Sequence, residues 1–131
     1  MTRHRLTMRA LPETFAICRL EPSAAAPAWI PQHGFTAVIR TAEELSVYCS
    51  ESAVPEDVRA ERGWRALQLV GPFPFEMFGV IASVASPLAD AGISLSVLAT
   101  YDTDYIFVRG TSLAKAAEVL RAAGHNVAGP V

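Results

Sequence analysis

The chain has 131 residues, of which 51% are hydrophobic and 18% charged, a composition that belongs to a folded globular protein and excludes a disordered one. A net charge of -2, a pI near 5.9 and the lack of any basic run leave no electrostatic footprint for nucleic acid. The length admits one ordinary domain or two small ones, and two units of about 60 residues are expected to share an interface because small domains bury little of their surface.

In chain order, Leu6, Met8 and Ala10 alternate with Thr7, Arg9 and Leu11, which predicts a first strand. Pro12-Glu13 reads as a turn before a second strand at 14–20, and these two strands are expected to pair as a hairpin. Residues 21–29 hold too many prolines for a long helix and read as a truncated helix or a wrapped loop, with Trp29 covering a core edge. After the turn chemistry of Pro31-Gln32-His33-Gly34, strands are predicted at 35–40 and 45–49. Residues 55–62 read as a short polar helix with an acidic start, stopped by Gly63, and 64–71 as a strand.

Met77, Val80, Ile81, Val84 and Leu88 then recur at helical spacing, and Ala91-Gly92 ends that helix. The period changes to two over Ile93–Thr100; Tyr101-Asp102-Thr103 is a polar break, and Asp104–Arg109 is the hairpin partner. Thr111-Ser112 are placed to cap a last helix with Leu113, Ala116, Ala117, Leu120 and Ala123 inward, closed by Gly124 and followed by an edge strand at 125–127. Asp90 is the only charged residue from 77 to 100, yet Pro87 and the change of period argue against a membrane span. The N-terminal stretch lacks the apolar core of a signal peptide, so a cytoplasmic protein with no membrane partner is expected.

From Trp64 the order is strand, helix, strand, strand, helix, strand, the ferredoxin-like βαββαβ pattern, and residues 14–63 give a weaker version of it. The predicted fold class is α+β, with two ferredoxin-like units. The first, 1–63, is degenerate and borrows 6–11 to complete its sheet; the second is 64–131.

Little in the chain points to catalysis. Cys18 and Cys49 sit in apolar strand-like runs and read as buried thiols, and His4, His33 and His125 are too scattered for a metal site. Glu43-Glu44 and Asp102/Asp104 are acid pairs on turns and read as a solvated rim, and no nucleophile turn or phosphate loop is found. No catalytic residue, metal or cofactor is expected. Three features can instead build a polar pocket. The loop Gly71–Phe75 leads into a helix whose first N–H groups, near 77–79, suit a carboxylate, and Gly79 either permits close approach or serves helix packing. Ser94 offers a hydroxyl after the helix. Asp104 supplies a carboxylate for an ammonium or guanidinium group, or bonds its own turn. Ser94 and Asp104 are expected at one end of the sheet, beside the helix start. Large apolar groups on both sheet faces suggest packing on a second repeat or a second chain.

The stretches Gly92-Ile93-Ser94-Leu95 and Ala99-Thr100-Tyr101-Asp102-Thr103-Asp104-Tyr105, flanked by helices, resemble the ACT domain. They are most similar to the tandem-ACT group that includes the eukaryotic cytosolic arginine sensor. The resemblance covers 13–125. It implies binding of a small metabolite, usually an amino acid, at an interface between domains, with Ser94, Leu95, Thr100, Tyr101 and Asp104 as ligand contacts. It further implies a homodimer or higher homo-oligomer that restores the number of ACT units, and a regulated protein partner. The competing reading is an assembly module that keeps the fold without the ligand.

Overall fold

The structure, a computed structural model, describes residues 4–131. Among them are eight strands, β1 (Thr7–Ala10), β2 (Phe15–Leu20), β3 (Ala37–Arg40), β4 (Leu45–Ser50), β5 (Ala60–Leu69), β6 (Leu95–Ala99), β7 (Asp104–Arg109) and β8 (Asn126–Ala128), and two α-helices, α1 (Val80–Asp90) and α2 (Leu113–Ala122). The fold class is mixed α+β of the ferredoxin-like kind, as the periodicity predicts. The chain divides into two compact units, one of Glu13–Trp64 and one of Arg65–Val131 together with the residues up to Pro12.

The first unit has no α-helix. Its strands run β3, β4, β2 and then the start of β5, all antiparallel. Ala16, Cys18, Val47 and Cys49 alternate inward along β2 and β4 and form its core with Val54, while Trp29 and Ile30 from the loop at 21–36 pack against them. The proline-rich stretch is thus a wrapped loop. Both cysteines are free and buried. Burial, with Cys49 alongside, pushes the Cys18 thiol up to about 11, so it is protonated at neutral pH and behaves as a small apolar group. The polar helix expected at 55–62 does not form. Those residues lack an apolar stripe, and their polar groups are used to tie turns instead: the Arg62 guanidinium donates to the Pro55 carbonyl at 2.9 Å and Gly63 N–H to the Glu51 carboxylate at 2.7 Å.

In the two-helix unit, β5, α1, β6, β7, α2 and β8 follow in βαββαβ order, and the N-terminal strand β1 is inserted between β5 and β8. β1 pairs antiparallel with β5 (Met8 opposite Leu69) and parallel with β8 (Met8 opposite Val127). The hairpin expected between β1 and β2, and the loan of residues 6–11 to the first unit's sheet, are both corrected by this pairing. The reason is packing: Leu6, Met8 and Ala10 are buried in one core with Leu67 and Leu69 of β5, Val84 and Leu88 of α1, and Leu120 of α2. Helix α1 starts at Val80 and not near Met77, because Pro74–Met77 is a turn closed by Met77 N–H to the Pro74 carbonyl at 3.0 Å, leaving Met77 exposed. Before α2, residues 110–112 wind into a short 3-10 turn, and Ser112 makes no side-chain cap. Gly92, at a φ of 73°, ends α1 as its position predicts.

Candidate functional site

Helix α1 and strand β6 are joined by a tight turn, so they run in opposite directions and the start of the helix lies beside the end of the strand. At that end a cavity of about 310 Å³ opens among residues 73–82 and 99–104. Two loops form its rim and are stitched together. Phe73 N–H donates to the Asp102 carbonyl at 2.9 Å, the Thr103 hydroxyl donates to the Leu69 carbonyl at 2.7 Å, and Thr100 N–H closes the hairpin onto the Thr103 carbonyl at 2.8 Å. Gly71 lies in the seam. A Cβ there would sit 2.8 Å from the Asp102 carbonyl oxygen, closer than real side chains come.

Gly79 caps α1 in the left-handed region, at a φ of 82°, which an L side chain rarely adopts. The first intrahelical bond runs from Ser83 N–H to the Gly79 carbonyl at 3.0 Å, so the N–H groups of Val80 and Ile81 precede the ladder. They bring the positive end of the helix dipole to the cavity wall. Across the cavity is Asp104, half-buried at the start of β7. Burial raises its pKa. Asp104 therefore carries a net destabilising charge at neutral pH. The sign follows: a raised native pKa means stability present at acid pH and lost as pH rises through that pKa. Asp104→Asn is expected to melt at or above the temperature of the parent at pH 7, with the difference closing as pH falls through the carboxylate range; a variant less stable than the parent at pH 7 would show that the carboxylate has a structural partner.

Phe75 and Tyr101 stand at the mouth as an edge-to-face pair, with centroids 5.2 Å apart and planes at 88°. They are 73% and 80% exposed, an unusual state for two large rings in contact.

Of the residues singled out in the sequence, the cavity brings together Gly79, Thr100, Tyr101 and Asp104. Ser94 and Leu95 are elsewhere. Leu95 pairs with Val108 and Ala99 with Asp104 at opposite ends of the β6–β7 hairpin, a separation of four strand steps, ~13 Å. The expectation that Ser94 and Asp104 share one end of the sheet is thus corrected, since Ser94 lies by the C-terminal end of α1 and Asp104 by its start. Phe75 and Met77 line the cavity too; sequence reading placed the 71–75 loop and the 77–79 backbone there but gave neither side chain a role. The apolar spacing that placed Met77 on the helix stripe hid the turn. Among the described residues no group of three or more His, Cys, Asp or Glu side chains is placed to hold a metal ion, and no helix is long and apolar enough to cross a membrane.

Residues 59–122, from β5 through α2, match the family model described as an ACT domain. Residues 13–57 match a second family model, described as an N-terminal domain. The crystal structure of protein Atu0741 from Agrobacterium tumefaciens is similar at 38% identity and a TM-score of 0.92, over 98% of this chain and 96% of that one. The chain belongs to the same family as that protein, and the ACT-domain match lies in its residues 59–122. VC0802 from Vibrio cholerae, described as a protein of unknown function and possible transport protein, is 19% identical with a TM-score of 0.72, over 91% of this chain and 90% of that chain. Aspartate kinase from Clostridium acetobutylicum shares the fold at 8% identity and a TM-score of 0.67, over 94% of this chain and 36% of its own. No curated protein matches the chain.

Proposed function

We propose that this protein is a non-catalytic regulatory sensor of a free amino acid, bound in the cavity between the start of α1 and the β6–β7 hairpin. One observation carries the reading: a helix N-terminus and a half-buried carboxylate face a single cavity. A zwitterion matches that pair. Its carboxylate would accept from the N–H groups of Val80 and Ile81, with Gly79 allowing close approach, and its ammonium would neutralise Asp104. Thr100 and Tyr101 complete the near wall.

A second copy of the chain supplies the rest. Strand β6 pairs only with β7 among the described strands, and from Ile93 to Thr100 it has no charge and no proline, the devices that normally protect a sheet edge. Antiparallel pairing of two β6 strands about Val97 would set the partner's Leu95 opposite Ala99 and the partner's Ser94 opposite Thr100. Ser94 and Leu95 would then reach the cavity from the neighbouring subunit. Ligand binding and assembly are coupled in this arrangement, and the signal passes through a protein partner or the assembly state in the cytoplasm.

The unprotected β6 edge also favours a second reading, an assembly module that has lost its ligand. A thermal-shift screen of the common amino acids at millimolar concentration separates the two. A ligand at about 100 times its Kd stabilises by ~2.7 kcal/mol, enough to raise the melting temperature visibly. Asp104→Ala is expected to abolish that rise while leaving assembly without ligand intact. If every amino acid leaves the wild-type curve unmoved, the sensor reading gives way to the assembly module.

A further inference from the structure

Resting on the amino-acid reading above, we infer that the ligand has a large apolar or aromatic side chain, seated against the perpendicular rings of Phe75 and Tyr101. The inference begins from which groups remain once the zwitterion is placed. The helix start takes the carboxylate and Asp104 the ammonium, so both groups that can hold the backbone of an amino acid are used. The large side chains in the rest of the wall are Phe73, Phe75 and Met77 on one loop and Tyr101 on the other.

A second charge on the ligand would find poor company there. Among the described residues no Lys, Arg or His lines the cavity, so an acidic side chain meets Asp102 and Asp104 and is repelled. A basic side chain has Asp102, but that residue is exposed on the rim, where water screens the attraction to a small fraction of its buried strength. An apolar side chain, by contrast, covers two rings that the protein otherwise leaves in water. An edge-to-face pair with both outer faces open accepts a third ring or a branched aliphatic group in the corner it makes, and each such contact adds to the gain from burial alone. The cavity of about 310 Å³ has room for one amino acid.

The experiment is calorimetric titration of the protein with L-phenylalanine, L-leucine, L-arginine and L-glutamate, repeated on Tyr101→Ala and Phe75→Ala. Both rings are largely exposed, so neither variant is expected to disturb folding. Phenylalanine and leucine are expected to bind at least about tenfold more tightly than arginine or glutamate. Each ring removal is expected to weaken phenylalanine about five- to tenfold, the size of a ring contact. Arginine binding as tightly as phenylalanine, or phenylalanine affinity unchanged in Tyr101→Ala, overturns this inference and leaves the amino-acid reading standing. No binding by any of the four in titration, together with no response in the full amino-acid screen, overturns both.

Discussion

His125→Ala is expected to cost about 2–4 kcal/mol, read as the change in urea midpoint at constant slope. His125 is 6% exposed, and its ring joins two backbone groups. Nδ1 accepts from Leu6 N–H at 3.0 Å, and Nε2 donates to the Ser83 carbonyl at 2.8 Å. The second bond has a specific origin. In a regular helix the Ser83 carbonyl would accept from the N–H of residue 87, but that residue is Pro87, inside α1. The imidazole supplies the missing donor from outside the helix, and with its other nitrogen it fastens the start of β1. Alanine leaves a buried N–H and a buried carbonyl orphaned together with a void. The origin also provides the control. Pro87→Ala restores an N–H beneath Ser83, so the cost of His125→Ala should shrink by about 1 kcal/mol in that background. Equal costs in the two backgrounds would show that His125 matters through packing alone.

The second large effect is expected at Gly71→Ala. The added Cβ would have to share space with the Asp102 carbonyl oxygen at 2.8 Å and with Phe73 N and Thr103 Cβ at 3.2 Å. Two of those three are backbone atoms, which cannot rotate away. Relief requires the loop at 71–75 to part from the hairpin turn, breaking the bond from Phe73 N–H to the Asp102 carbonyl and loosening that of the Thr103 hydroxyl to Leu69. A loss of about 1–3 kcal/mol follows, together with the amino-acid response, because the seam holds Tyr101 and Phe75 at the cavity mouth. A variant that melts like the parent would mean that the seam opens freely.

The C-terminal portion of the fold could be read because its periods are long and local. The helix stripe of Val80, Val84 and Leu88, the strand β6 with Leu95 and Val97 packed on the core, and the hairpin to Asp104–Arg109 each appear in the structure as the residues predict. What could not be read is non-local. Nothing near Leu6 or Met8 says that β1 joins β5 and β8, since that choice is made by a core assembled from residues more than fifty positions away. The polar helix at 55–62 failed for a related reason: acidic residues and a following glycine mark a helix start and stop, but without an apolar face nothing holds the helix between them. At the site, Gly79, Thr100, Tyr101 and Asp104 converge because the helix start and the hairpin turn are both legible. Ser94 was misplaced by neglecting direction, for a strand that follows a helix begins at the helix's far end.

Amide chemical shifts test the central claim most directly. On titration of the protein with a millimolar mixture of the common L-amino acids, the account expects the resonances of Val80 and Ile81 and of Thr100 to Asp104 to move together and saturate. Shifts confined to other parts of the chain, or none at all, would contradict an amino-acid site between the start of α1 and Asp104.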